Sequence, residues 1–251
     1  MSVTIFGATT VRIVMQLRQD RRTVAMILLV PSLLMILLYF LYVDVPTAPG
    51  AVPLFQRVAI TMLGILPFVV MFLVTSIAMQ RERSSGTLER LLTTPMGKLD
   101  LLAGYAAAFS LSAAAQAALA CAVAFGFLGL TIAGSLGWVI VIAVLGAILG
   151  VALGLLASAF AKTEFQAVQF MPVVVVPQLF LCGLLVPRDQ LPTWLEWISN
   201  VLPLSYAVDA LQQVSIHADA TGQMWRDLAV MALFAAAALT LAAATLDRRT
   251  P

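Results

Sequence analysis

Six stretches of the chain are almost continuously apolar, and each is long enough to be a membrane-spanning helix. A hydrocarbon core about 30 Å thick takes roughly 20 residues of α-helix. The stretches lack the period-2 alternation of outer-membrane strands, so they predict helices. The expected fold is an all-α membrane protein in which residues 1–251 form one transmembrane domain. The six predicted spans are residues 24–43, 58–79, 101–127, 136–160, 168–186 and 228–246.

The segment before the first span has apolar residues at helical spacing with polar residues between them. This pattern predicts an amphipathic helix that lies on the membrane surface. A loosely structured basic tail that only orients the first span is the alternative. The residues that define the predicted helix are Ile5, Phe6, Arg12, Ile13, Val14 and Leu17.

The segment from residue 187 to 227 is too polar to span a membrane, yet it carries aromatic side chains suited to the membrane interface. Pro192 and Pro203 divide it into two short pieces, so we expect two brief re-entrant helices that dip into the outer leaflet and return. Trp194, Trp197 and Tyr206 are their expected interfacial anchors. An ordinary interfacial loop is the alternative.

Composition and charge agree with a membrane protein and orient it. Hydrophobic residues make up 62% of the chain and mean hydropathy is +1.02, which excludes an ordinary soluble globule. Eleven of the fourteen Lys and Arg residues fall before span one, between spans two and three, between spans four and five, or after span six. The positive-inside rule then predicts a multi-pass protein of the cell membrane with both termini in the cytoplasm.

The sequence offers no chemistry for driving transport by itself. Gly97 and Lys98 are not part of a phosphate-binding GxxxxGK[ST] loop, and His217 is the only histidine. The six predicted spans have no ionisable residue near their centres, which disfavours an ion-coupled carrier. We therefore expect no catalytic site, no metal site and no cofactor on this chain. Cys121 and Cys182, inside predicted spans, are read as small buried thiols.

Small residues recur every fourth position in the fourth span, at Gly146, Gly150, Gly154 and Ser158. Four residues make about one helical turn, so these positions form a groove that another helix can approach closely. Packing within the chain is favoured over packing against another subunit.

The polar stretch RERSSGTLERLLTTPM, residues 81–96, interrupts the apolar pattern between spans two and three. Gly86 or Thr87 can begin a helix, and Thr94-Pro95 ends it after about two turns. Its leucines lie on one face, which favours docking into a groove on another protein; a turn that rests on lipid headgroups is the alternative. The residues of this predicted docking segment are Arg81, Glu82, Arg83, Gly86, Thr87, Leu88, Glu89, Arg90, Leu91, Leu92 and Pro95.

The order of these features resembles the permease subunits of type-2 ATP-binding cassette exporters. The resemblance is carried by ERSSGTLERLLTTP after the second of six spans and by NVLPLSYAVDAL, residues 200–211, before the last. Ser205 stands where the family commonly has Thr. The resemblance covers essentially the whole chain.

The resemblance implies a half-transporter that pairs with a second permease, identical or homologous, and with separate cytoplasmic ATPase subunits that bind ATP and Mg²⁺. Residues 86–95 would be the coupling helix, with Leu88, Leu91 and Leu92 as apolar anchors and Glu89 and Arg90 as rim contacts. Residues 5–17 would be the interfacial helix. Short loops favour a drug-like or lipid-like substrate that is hydrophobic or amphipathic; its contact residues stay unassigned. A membrane-embedded scaffold or enzyme, and a passive channel or carrier, are the alternatives.

Overall fold

A computed structural model describes residues 3–47, 52–86 and 97–245, and these residues form nine α-helices. A π-helical turn, Ala122–Phe127, continues the fourth helix, and a 3-10 turn, Arg188–Gln190, precedes the seventh. The helices are α1 Val3–Gln19, α2 Arg21–Tyr42, α3 Leu54–Ser84, α4 Lys98–Cys121, α5 Leu136–Ser158, α6 Glu164–Leu181, α7 Thr193–Val201, α8 Pro203–Ile216 and α9 Gly222–Ala244.

Six of these helices are long and apolar enough to cross a membrane, which confirms the predicted fold class. They are α2, α3, α4 with its π-helical turn, α5, α6 and α9. The first helix, α1, and the two short helices α7 and α8 also occur where the sequence predicts them. The protein is therefore a multi-pass membrane protein.

Several helix ends differ from the predicted spans, and in α3 and α6 the reasons are identifiable. The third helix has 31 residues, about 46 Å of helix, and so it extends beyond a 30 Å hydrocarbon core to Ser84. The sixth begins early because the Thr163 side chain accepts a hydrogen bond from the backbone N–H of Gln166, at 3.1 Å. It ends at Leu181, shortly before Gly183, whose φ of +93° interrupts helical geometry.

The centre of the bundle is the contact between α3 and α5. A Cβ added at Gly150 would lie 2.3 Å from the carbonyl oxygen of Phe68, and one added at Gly154 would lie 2.5 Å from that of Phe72. The two backbones can touch at these positions only because the residues are glycines. The small-residue groove of α5 therefore packs against α3 of the same chain, which confirms the predicted packing within the chain.

The bundle has two distinguishable ends. The α1 end consists of α1, the beginnings of α2, α4 and α6, and the last turn of α3. The opposite end consists of α7, α8, residues 128–135 and the beginning of α9. There the backbone N–H groups of Ala133 and Gly134 donate to the carbonyl oxygens of Ser215 and Val214, at 3.1 and 3.0 Å.

The two short helices at the opposite end have different environments. Helix α7 is a surface helix that contacts the bundle mainly through Ser199, whose hydroxyl donates to the Leu181 carbonyl at 2.8 Å. Helix α8 enters the bundle and buries most of one face. The Leu204 N–H at its beginning donates to the Gln178 side-chain oxygen on α6, at 3.2 Å. Cys121 and Cys182 are free and buried.

Candidate functional site

The first helix is packed against α4 at the α1 end. A Cβ added at Gly104 would lie 2.6 Å from the Thr9 side chain, so this glycine lets α1 approach α4 closely. Thr9 and Ile13 are both buried, at 3% exposure. Val11 and Met15, on the opposite face, are 56% and 61% exposed. The helix therefore has one face on the protein and one apolar face free to contact lipid.

Arg12 joins three helices at this end. Its Nη2 donates to the Tyr105 hydroxyl on α4 at 2.9 Å, and the same nitrogen lies 3.8 Å from Glu82 Oε1 on α3. Its guanidinium carbon lies 6.0 Å from the centre of the Tyr105 ring. Because one side chain contacts both α3 and α4, displacement of α1 acts on both helices.

Two further arginines lie on the last turn of α3. Arg81 donates to both carboxylate oxygens of Glu164 at the beginning of α6, at 3.2 and 3.3 Å. Arg83 is partly buried, and within the described residues its Nε and Nη2 have no hydrogen-bond partner. Arg81 and Glu82 thus join α3 to α6 and α1, while Arg83 has spare donors.

Gly86 ends α3. It has a φ of +70°, in the left-handed region that favours glycine, and it follows the last helical residue, Ser84, by two positions. Gly86 therefore lies in a turn, and a helix beginning at Gly86 itself is ruled out. At the far side of the segment, α4 begins at Lys98, and Asp100 accepts a hydrogen bond from the Gly97 N–H at 3.3 Å.

Residues 87–96 lie outside the described part of the chain. The coupling-helix assignment therefore stays a prediction, although both ends of the segment are placed at the α1 end. The predicted residues that fall outside the description are Thr87, Leu88, Glu89, Arg90, Leu91, Leu92 and Pro95.

The six residues that define the amphipathic helix all lie on α1, but their burial differs. Ile13 is buried, and the other five are partly buried. Arg12, read as a polar residue between apolar ones, instead holds the contact to α3 and α4. The sequence did not single out Thr9 or Gly104; a glycine within an otherwise alanine-rich helix was the available signal.

A cleft of about 600 Å³ lies between α1, α2, α3 and α4, and we call it the α1 cleft. Leu73, Val74, Ile77 and Phe109 supply apolar lining, while Asp20 and Glu82 contribute carboxylates at its polar rim. The Thr23 hydroxyl and N–H both donate to Asp20, and these hydrogen bonds lower the pKa of that carboxyl. An apolar cleft with a polar rim is suited to an amphipathic molecule.

The predicted anchors at the opposite end are split between surface and interior. Trp194 and Trp197 on α7 are 65% and 72% exposed, as expected for interfacial side chains. Pro203 is the buried first residue of α8. Tyr206 is partly buried, and its hydroxyl donates to the Asn200 carbonyl at 2.7 Å, which ties α8 to the end of α7.

A charged pair at the opposite end was missed by sequence reasoning. Arg188 contacts the Asp209 carboxylate on α8, with side-chain exposures of 14% and 16%, and it also donates to the Asn200 side chain. Its guanidinium carbon lies 5.7 Å from the centre of the Tyr206 ring. Burial raises the pKa of Asp209 to about 6, although Arg188 opposes the shift. The partners are too far apart in sequence for spacing to reveal them.

Helix α9 begins before residue 228, the predicted start of the last span. The helix begins at Gly222, where the Thr221 side chain accepts from the Met224 N–H at 3.1 Å. Asp227 therefore lies on the helix, fully buried, and accepts from Arg226 at 3.1 and 3.2 Å. One of its oxygens has no partner among the described residues.

Comparison with known proteins places these features in a family context. Residues 4–216 match the family model described as ABC-2 type transporter. The chain is 28% identical over 169 residues to the "Probable multidrug ABC transporter permease YbhR" of Escherichia coli (strain K12), a match that covers 67% of this chain and 44% of that protein.

Two further relatives come from other organisms. "ABC transporter G family member 20" of Dictyostelium discoideum is 27% identical over 143 residues, 57% of this chain and 20% of that protein. "Nodulation protein J" of Rhizobium leguminosarum bv. trifolii is 28% identical over 139 residues, 55% of this chain and 53% of that protein. The matched segment thus spans about half of these relatives' length or less.

Proposed function

The chain belongs to the ABC-2 type transporter family and is a membrane permease subunit of an ABC transporter, and we propose that it exports a hydrophobic or amphipathic substrate with energy from a separate ATP-binding subunit. ATP and Mg²⁺ bind to that partner, and two permeases complete the transporter. The permease itself catalyses no reaction; it changes conformation when the partner does.

The observation that carries this proposal is the position of Arg12. It contacts Glu82 on α3 and Tyr105 on α4, the two helices that flank residues 87–96. A force applied to that segment would therefore act on α1, α3 and α4 together. This arrangement supports attachment of the ATP-binding subunit there, with Leu88, Leu91 and Leu92 as the apolar contacts.

The substrate class rests on two observations. The relative YbhR is named a probable multidrug ABC transporter permease. In this chain, the α1 cleft offers about 600 Å³ with an apolar interior that includes Leu73, Ile77 and Phe109. We propose that drug-like or lipid-like amphiphiles enter from the leaflet at the α1 end.

The coupling proposal is tested with a charge reversal and a charge insertion in the full chain, co-expressed with a candidate ATP-binding subunit. Glu89→Lys and Leu91→Arg should both reduce co-purification of that subunit and ATP-dependent dye export in vesicles. Asp219→Lys, an exposed change in the loop between α8 and α9, makes the same charge change as Glu89→Lys and should leave both intact. Normal export by both coupling variants would refute the coupling role of the segment.

The orientation is tested separately. The cell-membrane location and cytoplasmic termini rest on the bias of Lys and Arg residues. Single cysteines at Ser84 and at Asp219 should react differently with a membrane-impermeant maleimide in intact cells, since both positions are exposed but lie at opposite ends. Only Asp219→Cys should be labelled. Labelling of Ser84→Cys instead would show that the orientation is opposite to the predicted one.

A further inference from the structure

A second groove lies beside the α1 cleft, bordered by α1, α2 and α4. It measures about 540 Å³. Its wall is apolar and includes Val24, Leu28 and Leu29 from α2 and Leu119 from α4. Leu29 is 50% exposed on the outer surface of α2, so the groove is open to the bilayer side of the bundle. We call it the arginine groove, for the two side chains described next.

Arg18 and Arg21 line this groove where α1 meets α2. Within the described residues, neither forms an ion pair, and the groove has no carboxylate in its lining. Asp20, between them in sequence, accepts two hydrogen bonds from Thr23 and lines the α1 cleft instead. The groove therefore has two exposed positive charges beside an apolar channel.

We propose that the arginine groove binds an anionic phospholipid of the leaflet in which α1 lies. The phosphate contacts Arg18 and Arg21, and an acyl chain lies along Leu28, Leu29 and Leu119. Arginine suits this role because its planar guanidinium donates two parallel hydrogen bonds to a phosphate. Basic grooves between membrane helices commonly hold such headgroups.

The α1 cleft is less suited than the arginine groove to an anionic headgroup. Asp20 lines that cleft without an ion pair among the described residues, whereas Glu82 and Arg81, which also line it, are paired with Arg12 and Glu164. An anionic headgroup would meet like charge there and opposite charge in the arginine groove. Ser112, the one polar uncharged side chain in the groove lining, donates to the Ala108 carbonyl at 3.3 Å and needs no ligand. The chemistry of the groove is thus two cations and a hydrocarbon wall.

The first test measures lipid retention by the purified full chain in neutral detergent, with native mass spectrometry. Phosphatidylglycerol should be retained in preference to phosphatidylcholine of the same chain length. Arg18→Gln with Arg21→Gln should weaken phosphatidylglycerol retention by more than roughly tenfold, on the basis of about fivefold for each arginine near a membrane surface. Arg22→Gln removes one positive charge at the neighbouring position, outside the groove lining, and should reduce retention much less than Arg18→Gln or Arg21→Gln alone.

A second pair of variants tests the apolar wall without changing charge. Ser112→Phe fills the groove and should reduce retention of phosphatidylglycerol several-fold. Leu111→Phe changes the neighbouring side chain, which is 61% exposed and does not line the groove, and should retain lipid normally. A thermal unfolding midpoint for each variant separates lost binding from lost folding.

Three results would overturn the proposal. Equal retention of the two lipids removes the charge basis, and an Arg22→Gln loss equal to that of Arg18→Gln or Arg21→Gln alone reduces the effect to general surface charge. Absence of lipid together with disulfide crosslinking of a Leu29→Cys variant to a second copy would assign the groove to a subunit contact. Lipid retention is measured without the ATP-binding subunit, so failure here leaves the transport proposal untouched, and the reverse also holds.

Discussion

Both ends of the bundle contain ion pairs, and one pair at each end differs clearly in exposure from the other. At the α1 end, Arg81 and Glu164 have side-chain exposures of 63% and 45%. At the opposite end, Arg188 and Asp209 are only 14% and 16% exposed. Exposed pairs contribute about 0–1 kcal/mol, whereas breaking one partner of a buried pair costs about 3–5 kcal/mol.

The hydrogen bonds follow the same division. Helix α8 is held by the Gln178 side chain, by the Ser205 hydroxyl 3.0 Å from that of Ser199, and by the Tyr206 hydroxyl. Helix α1 depends mainly on Arg12 and on its close contact at Gly104. The exposed Arg81–Glu164 pair therefore lies at the end where we propose that the ATP-binding subunit attaches, and the largely buried Arg188–Asp209 pair lies at the other.

The strongest test of this contrast removes Arg188, whose side chain is largely but not fully buried. Arg188→Met leaves the Asp209 carboxylate buried without its cation, so the free energy of unfolding should fall by about 3 kcal/mol at neutral pH. Thermal unfolding in detergent measures the change. Arg57→Met, an exposed arginine without an ion pair among the described residues, is the control and should shift the midpoint little.

The same variant should have a characteristic pH dependence. The Asp209 pKa of about 6 in the folded chain exceeds the ordinary value of 3.8, so protonation favours the folded state. The Asp209 contribution to stability is fully present below pH 3.8 and is lost as pH rises through 6. Without Arg188, which lowers the pKa of Asp209, that pKa should be raised further. The Arg188→Met defect should therefore shrink as pH falls toward 6, and a pH-independent defect would contradict the ion-pair explanation.

Removal of the acid should have a smaller effect than removal of the base. In Asp209→Asn, Arg188 keeps the Asn200 side chain and the Tyr206 ring as partners, so we expect a loss of about 1 kcal/mol. The double variant, Arg188→Met with Asp209→Asn, should regain part of the Arg188→Met loss because no buried charge remains. Equal losses from the two single variants would show that the pair is symmetric after all.

Removal of the Tyr105 hydroxyl at the α1 end should cause a loss of stability of intermediate size. Tyr105→Phe removes the acceptor of the Arg12 hydrogen bond and should lower the free energy of unfolding by about 1 kcal/mol. Tyr39→Phe is the control, since no hydrogen bond to the Tyr39 hydroxyl is found among the described residues. A Tyr105→Phe loss as large as that of Arg188→Met would remove the difference between the two ends.

The exposed pair should give the smallest effect. Arg81→Gln should change the free energy of unfolding by less than about 1 kcal/mol, and high salt should remove most of the difference from the unaltered chain. Unfolding measured at low and high ionic strength checks this. A large, salt-insensitive loss would mean that Arg81 is as important to folding as Arg188.

Hydropathy predicted the spans well because burial in hydrocarbon dictates the length and composition of a helix. It predicted their ends less well, since polar residues continue a helix past the membrane. In α3, the charges at residues 81–83 remain helical, and Gly86 ends the helix where the sequence suggested a new one. In α6, the end depends on Gly183, a backbone effect that hydropathy does not detect.

The candidate site could be predicted only in outline. Periodicity identified α1 and the polar segment after α3, but it assigned no contact to Arg12, which depends on where Glu82 and Tyr105 meet in three dimensions. The Arg188 and Asp209 pair depends on a return of the chain that no local pattern encodes. Only the resemblance to a known family linked these segments to a function before their contacts were known.

The glycine contacts between α3 and α5 have a mechanical consequence. Gly150 and Gly154 bring the two backbones together at successive turns, so we expect the two helices to resist sliding and to move as a single rod. The 31 residues of α3 make that rod about 46 Å long. A pivot of only about 5° about one end carries the other end through about 4 Å. Through these glycine contacts, a small tilt of α3 and α5 at one membrane surface would therefore become a displacement of several ångströms at the other.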